Sequence, residues 1–192
     1  MTDYQAGNLS LCNANDSALI IIDIQTRLTA TMPIKVLARL KRNSSFLIKA
    51  AGLLAIPVLA TEQYPKGLGP LEPEIVDVLP ENTLRFEKTC FSCVGAENFM
   101  EQLENTGRKQ IILMGIEAHV CVLQTAIDLL AAGFHVFVII DAVSSRHREN
   151  YEAALQRMRH AGVTTCNAES VLFEWLRDAK HEHFKTLSAM VK

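Results

Sequence analysis

The sequence predicts a single α/β domain over residues 1–192, in which helices cover both faces of a mainly parallel β-sheet and so make three layers. Continuous runs of apolar, largely branched residues alternate with longer segments whose apolar residues recur at helical spacing. Strands that alternate with helices form parallel sheets with right-handed crossovers, and continuous apolar runs are typical of strands buried on both faces. At 192 residues the chain is long enough for one well-buried domain.

Residues at the ends of these segments support the same element order. Pro33 favours the start of a helix, and Gly107 and Gly133 favour helix ends. The predicted strands cover residues 18–24, 57–61, 83–87, 111–114, 135–141 and 163–166. The predicted helices cover residues 34–55, 96–105, about 121–133, 148–161, 170–180 and a last stretch to 190.

Two segments are predicted to be irregular. Residues 1–16 form a loose N-terminal arm that lacks the basic and apolar regions of a signal peptide. Residues 62–73 form a loop rich in Gly and Pro, of the kind that often covers a binding site. No apolar run is long enough to span a bilayer, and a net charge of −2 gives no electrostatic argument for nucleic acid. We therefore expect a cytoplasmic protein.

Three reactive side chains follow strands of the predicted sheet, namely Asp23, Lys88 and Cys121. Ligands of open α/β sheets bind outside the carboxyl ends of the strands, so these side chains are expected to converge. A thiol, a carboxylate and an ammonium group suit nucleophilic attack on a carbonyl group. The helix start near Cys121 and the charge of Lys88 are expected to favour the thiolate. The structural alternatives are a turn cap, a solvated lysine and a small core residue.

The five cysteines are irregularly spaced, which argues against a disulfide framework. Cys90 and Cys93 form a CxxC motif, which occurs in redox pairs and as half of a zinc site. The sequence has no second CxxC and no HxxxH to complete a zinc site, so packing in a buried loop is the favoured interpretation. We predict neither a metal nor a cofactor, and no phosphate-binding glycine motif follows a strand.

Three blocks of the sequence resemble, in order, the signature blocks of the isochorismatase-like cysteine hydrolases, a family with a Rossmann-like α/β fold. Asp23 lies in ALIIIDIQ, Lys88 in RFEKTCFS, and Cys121 in MGIEAHVCVLQTAIDLLAAGFHVFVIIDAVSSR. The resemblance covers about residues 18–175. The family includes nicotinamidases, N-carbamoylsarcosine amidases, ureidoacrylate-type amidohydrolases and isochorismatases. TEQYPKGLGP and EKTCFS are most similar to an isochorismatase-domain subgroup whose substrates are poorly defined.

The resemblance implies a role for each residue of this set. Asp23 is the general base, Lys88 the orienting cation and Cys121 the nucleophile, and the backbone N–H groups of Glu117 and Cys121 form the oxyanion hole. A cis peptide bond between Ile116 and Glu117 is also implied. Nicotinamidases bind a metal through Asp and His residues in the loop after the second strand. Residues 62–73 contain no His, so a metal is not expected here.

The substrate pocket is formed by loops, and its wall can be predicted only in part. A flattish apolar pocket with one or two polar contacts is expected. His119 is expected to face solvent or a partner subunit, and Arg146 to form a structural ion pair. The candidate wall residues are Gln25, Gln63, Tyr64, Phe86 and Phe91, with plain packing as the alternative for the aromatic ones.

Three functional hypotheses remain open from the sequence. The leading one is hydrolysis of a C–N bond in a small amide through a thioester on Cys121. The second is isochorismatase-type hydrolysis of a vinyl ether with release of pyruvate, which needs an acid such as Asp23 but no thiol. The third is a non-catalytic scaffold of the same fold. A homo-oligomer is expected, because the family commonly associates and the helix after Cys121 is apolar on most of its surface.

Overall fold

The computed structural model describes residues 11–191. Its centre is a parallel sheet of six strands in the order β3-β2-β1-β4-β5-β6. The chain builds the sheet outward from β1 to β3 and then returns to the other side of β1. The strand order therefore reverses between β1 and β4, and the predicted parallel α/β fold is confirmed. The strands are β1 (Ser17–Ile22), β2 (Val58–Gln63), β3 (Leu84–Lys88), β4 (Gln110–Ile116), β5 (His135–Ser144) and β6 (Thr164–Cys166).

Helices pack on both faces of the sheet, as the continuous apolar strands predict. Every residue of β1 is buried, with Leu19 and Ile21 facing one layer and Ile20 and Ile22 facing the other. The first layer contains α2 and α8, and the second contains α5, α6 and α7. The helices are α1 (Thr26–Thr29), α2 (Ile34–Leu53), α3 (Pro65–Leu68), α4 (Pro73–Val76), α5 (Phe99–Asn105), α6 (Leu123–Ala131), α7 (Arg148–Ala161), α8 (Ala168–Leu176) and α9 (Phe184–Ser188).

The segment around Cys121 differs from the predicted turn followed by a helix. Gly115 and Ile116 still belong to β4, and Ala118–Val122 forms a π-helical turn that leads into α6. Gly115 has φ +132°, and a Cβ atom built on it would lie 2.0 Å from the carbonyl oxygen of Ile22. Only glycine allows β4 to approach β1 this closely. Apolar periodicity does not report such a contact between two backbones.

The predicted loop over residues 62–73 is partly regular. Its first two residues extend β2, and α3 and α4 follow, each with a proline as its first residue. Proline fixes the backbone in a helical conformation at that position without losing a helical hydrogen bond. The Pro-rich composition therefore marked two helix starts inside a loop.

The amino-terminal segment is packed where it is described. The backbone N–H of Cys12 donates to Glu174 Oε2 at 2.7 Å, and that of Asn13 donates to Gln110 Oε1 at 2.6 Å. The end of the predicted loose arm is therefore fixed to α8 and β4, while residues 1–10 lie outside the described residues. None of the helices within 11–191 is both long and apolar enough to cross a membrane.

Candidate active site

The candidate site lies at the carboxyl edge of the sheet, where the strand order reverses. Asp23 directly follows β1, Lys88 is the last residue of β3, and Cys121 lies in the π-helical turn after β4. Asp23 has φ +51°, in the left-handed region that non-glycine residues rarely adopt. This conformation turns the chain out of β1 at the position where open α/β sheets bind their ligands.

Asp23 and Lys88 form a buried ion pair. Lys88 Nζ lies 2.7 Å from Asp23 Oδ2, and neither side chain has exposed surface. The ammonium group also donates to Gln63 Oε1 at 2.7 Å and to the carbonyl oxygens of Phe91 at 3.0 Å and Cys90 at 3.3 Å. Burial lowers the pKa of Lys88, but the charge of Asp23, the hydrogen bond to Asp23 and the two neighbouring cysteines together outweigh burial, and the net pKa lies above the usual value. Lys88 is therefore charged and connects Asp23 to the loop after β3.

The Cys121 thiol lies against this pair and is 6% exposed. Burial raises the pKa of the thiol, and the negative charge of Asp23 and a hydrogen bond to Asp23 raise it further, while Lys88 opposes the rise. The expectation that the thiolate is favoured is therefore wrong. The positive charge of Lys88 is already balanced by Asp23, so the sulfur meets a nearly neutral pair in a dry site. The thiol keeps its proton and has a carboxylate acceptor beside it.

Thr61 completes the shell around Asp23 and was missed in the sequence. It is buried in β2, opposite Ile22, and its hydroxyl donates to Asp23 Oδ1 at 2.7 Å. Each carboxylate oxygen of Asp23 thus accepts a bond from a separate donor, which fixes the plane of the group. Applying the strand-end rule to β2 as well as to the other strands would have identified this residue.

Cys93 of the CxxC motif is the other unexpected neighbour. Its sulfur lies 3.7 Å from Thr61 Oγ1, and its backbone N–H donates to Thr125 Oγ1 at 2.9 Å. Burial and the nearby Asp23 raise the pKa of this thiol to about 11. Cys90 and Cys93 are both free thiols. Across residues 11–191 no group of three or more His, Cys, Asp or Glu side chains is arranged to hold a metal.

Two of the predicted pocket residues have structural contacts instead. Gln25 is fully buried, and its amide donates to the carbonyl oxygens of Gln63 and Gly69 and accepts from the N–H of Gln63. The Gln63 amide is divided between Lys88 and the carbonyl oxygen of Thr89. The prediction that Gln25 contacts substrate is therefore wrong, since its polar atoms hold the loop after β2. Gln63 supports Lys88.

The aromatic candidates separate into a packed residue and two exposed ones. Phe86 packs edge-on against Phe99 with ring centroids 5.2 Å apart, which is plain core packing. Tyr64 and Phe91 are 55% and 52% exposed. The backbone N–H of Tyr64 donates to the carbonyl oxygen of Lys88. The carbonyl oxygen of Phe91 accepts from the Lys88 ammonium group. Both aromatic residues are thus attached through their backbones to the charged centre.

The turn before Cys121 is hydrogen-bonded to residues that follow β5. The peptide bond between Ile116 and Glu117 is cis. Glu117 Oε1 accepts from both the backbone N–H and the Nε of Arg146, at 3.0 and 3.1 Å, so Arg146 forms the predicted structural ion pair. His119 contacts Ser145 Oγ at 2.9 Å and Asn150 Nδ2 at 3.3 Å. His119 therefore contacts α7 and the segment after β5 of the same chain, and its side chain is half-buried.

The comparison with known sequences identifies the family. The Isochorismatase domain matches residues 17–170. Isochorismatase domain-containing protein 2A of Mus musculus is 38% identical over 179 residues, which cover 92% of this chain and 82% of the mouse protein.

Solved structures give the same fold at higher coverage. The MAR1 ribonuclease of Caenorhabditis elegans superposes with a TM-score of 0.89 at 37% identity, covering 95% of this chain and 92% of that one. YcaC from Pseudomonas aeruginosa, solved with hexane-2,5-diol and covalent acrylamide, gives 0.87 at 28% identity over 95% and 92%. YcaC from Escherichia coli, an octameric hydrolase of unknown specificity, gives 0.86 at 26% identity over 94% and 90%. With its parallel fold and matching domain, this chain belongs to the isochorismatase family of hydrolases.

Proposed function

We propose that this protein is a cysteine amidohydrolase that cleaves a C–N bond of a small amide, with Cys121 as nucleophile, Asp23 as general base and acid, and Lys88 as orienting cation. The observation that carries this proposal is the Asp23 carboxylate beside the Cys121 thiol, with Lys88 on one carboxylate oxygen and Thr61 on the other. A base in hydrogen-bond reach of a nucleophile, itself oriented by a third group, is the arrangement that nucleophilic catalysis requires.

The proposed reaction begins with attack of the Cys121 sulfur on the amide carbon while Asp23 takes the thiol proton. The developing oxyanion accepts hydrogen bonds from the backbone N–H groups of Glu117 and Cys121, a contribution of about 3 kcal/mol per donor. Asp23 then gives its proton to the leaving nitrogen, the C–N bond breaks, and the acyl group remains on sulfur as a thioester. Water attacks the thioester, Asp23 accepts a proton from it, and the released thiolate recovers its proton as the acid product leaves.

The protonated state of Cys121 favours the amide reaction over the alternatives. A neutral thiol beside a charged carboxylate stores the proton that the leaving amine needs, whereas vinyl-ether hydrolysis makes no use of the sulfur. The covalent acrylamide in the Pseudomonas YcaC structure supports a reactive nucleophile and room for a small amide in that relative. For the ribonuclease activity named in the nematode relative, the net charge of −2 offers no support here.

The test is a screen of small primary amides and N-carbamoyl compounds with detection of released ammonia. We expect Cys121→Ser and Asp23→Asn to lower turnover by a factor of about a thousand or more. Cys166→Ser, which changes a thiol at the other end of the sheet edge, should retain activity within about twofold. Rapid quenching and mass spectrometry should find the acyl group on Cys121.

Two results would contradict the proposal. One is full amide turnover by Cys121→Ala, which would exclude the thiol as nucleophile. The other is pyruvate release from isochorismate by Cys121→Ala, or cleavage of RNA by the wild type, in the absence of any amide turnover. The same protein preparations serve all three assays.

We also propose that the protein works as a homo-oligomer at a cytoplasmic location. The octameric Escherichia coli relative supports assembly. The reason taken from the sequence is weaker than expected, because Ile127 and Leu130 on α6 pack against the core of their own chain. The exposed Tyr64 and Phe91 near the site are better candidates for contact with a second subunit.

A further inference from the structure

A sizeable cavity of the described structure lies apart from the thiol site. It has a volume of about 470 Å³ and lies at the carboxyl edge of the sheet, between the first turn of α2, the end of β5 and the first turn of α7. None of Asp23, Lys88 and Cys121 lines it. A volume of this size is within the usual range of small-molecule sites, about 300 to 1,000 Å³.

Three arginine side chains line this cavity. Arg146 is bonded through Nε to Glu117, and Arg148 through Nε to Glu152 at 2.6 Å. Arg39 of α2 has no hydrogen bond or ion pair with any other residue of the described range. Two of the three positive charges are therefore balanced by carboxylates, and the third is left unbalanced at the cavity.

The polar groups deeper in the cavity also lack full pairing. Ser144 is 3% exposed, and its hydroxyl has one long contact, 3.4 Å, to the carbonyl oxygen of Ser145, with no other side-chain partner in the described range. Neither α2 nor α7 has a side-chain cap at its first residue, and α2 has no acidic residue in its first turn. The Ser144 hydroxyl, the uncapped backbone N–H groups at the two helix starts and the free Arg39 guanidinium group all favour a negatively charged occupant.

Apart from Ser145 and Glu152, whose carboxylate is paired with Arg148, the remaining wall is apolar. Pro33 directly precedes α2, Val36 lies in α2 and Val143 in β5, and Tyr151 of α7 also lines the cavity. The Tyr151 hydroxyl is already used, since it donates to the carbonyl oxygen of Ile140 at 2.6 Å. An occupant therefore needs a hydrocarbon body as well as a charged group, and inorganic anions would leave the apolar wall uncovered.

From this combination we infer that the cavity is a binding site for a small organic carboxylate, with the carboxylate on Arg39 and Ser144 and an aryl or short acyl body against Pro33, Val36 and Tyr151. This inference stands on the cavity alone and is independent of the proposed amide hydrolysis. The same chemistry fits a free metabolite and the acid released by an amidohydrolase.

Titration calorimetry with benzoate at constant ionic strength tests the inference. We expect saturable binding to the wild type, binding at least about tenfold weaker for Arg39→Gln, and unchanged binding for Lys35→Gln. Lys35 is the matched control, because it is an exposed cation four residues before Arg39 on the same helix and does not line the cavity. Acetate and inorganic phosphate should bind more weakly than benzoate, and benzyl alcohol should not bind.

Three outcomes would overturn the inference. The first is no benzoate binding to the wild type, and the second is equal weakening by Arg39→Gln and Lys35→Gln, which would indicate a general charge effect. The third is a change in sedimentation of Arg39→Gln that accompanies the loss of binding, which would mean that a second copy of the chain fills the cavity. The acid released in the amide assay, titrated beside benzoate, distinguishes a product from an unrelated carboxylate.

Discussion

Two lysine–carboxylate ion pairs of nearly equal length lie in very different surroundings in this protein. Lys88 Nζ is 2.7 Å from Asp23 Oδ2, and both side chains are fully buried. Lys41 Nζ is 2.8 Å from Glu72 Oε2, and these side chains keep 16% and 13% of their surface exposed. The two pairs have nearly equal distances, but they differ in their access to water.

The second partner of each lysine explains the difference in role. Lys41 also contacts the exposed Glu74 at 3.2 Å and so links α2 to α4 at the surface. Besides Asp23, Lys88 instead bonds to the half-buried Gln63 side chain and to two backbone carbonyl oxygens, and the pair lies against a thiol. A partly wet pair connects two helices, whereas a dry pair controls the charge state of its neighbours.

The largest expected effect is a difference in the free energy of unfolding between variants of the two lysines. Lys88→Met leaves the Asp23 carboxylate buried without its counter-charge and should lower the free energy of unfolding by about 3–5 kcal/mol. Lys41→Met should cost at most about 1 kcal/mol, because Glu72 can be solvated. Urea denaturation followed by circular dichroism measures both. Adding Asp23→Asn to Lys88→Met should recover part of the loss, and equal losses for the two lysine variants would contradict the comparison.

A smaller effect concerns alkaline pH and Cys93, which belongs to the buried site. Burial holds the pKa of this thiol at about 11, above the usual 9.0. Between these values the unfolded chain has lost the proton and the folded chain keeps it, so folding is favoured less as the pH rises. The free energy of unfolding of the wild type should fall between pH 9 and 11 by on the order of 2 kcal/mol relative to Cys93→Ala.

Urea denaturation under reducing conditions at pH 8 and pH 10.5 gives this difference. Cys121 is present in both proteins, so the comparison reports the titration of Cys93 together with its effect on Cys121. A stability difference that does not change with pH would mean that water reaches the thiol in the folded protein.

The smallest effect is expected at acid pH for the surface pair. Burial raises the pKa of Glu72, but Lys41 and the Thr29 hydroxyl outweigh it, so the net pKa is lowered from 4.5. A carboxylate whose pKa is lowered by folding stabilises the folded state at pH values above its pKa in the unfolded chain. This stabilisation is lost as the pH falls through the pKa of the folded state. The stability difference between the wild type and Lys41→Met, under about 1 kcal/mol at pH 7, should therefore disappear by about pH 3. Thermal unfolding at both pH values measures it, and a difference that persists at pH 3 would assign it to packing of the lysine stem.

Much of the fold followed from local patterns. Continuous apolar runs predicted strands such as β1, β4 and β5, because both faces of a parallel sheet are buried there. The shorter and more exposed β3 and β6 were predicted from their place in the alternation of strands and helices, and the helix over residues 148–161 was predicted with the observed bounds. The strand-end rule also brought Asp23, Lys88 and Cys121 to one edge of the sheet. Contacts between segments distant in sequence, such as Gly115 against Ile22, leave no periodic signal in the sequence.

The sequence by itself determined the layers, the alternation of strands and helices, and the edge at which reactive side chains meet, because these depend on where apolar residues recur along the chain. Only the tertiary structure decided that Cys121 keeps its proton, that Gln25 holds a loop, that Thr61 fixes Asp23, and that Arg39 lies free at a cavity. Each of these depends on the burial and the neighbours of a single side chain. Packing of distant segments sets both, and a linear pattern of residue types does not contain them.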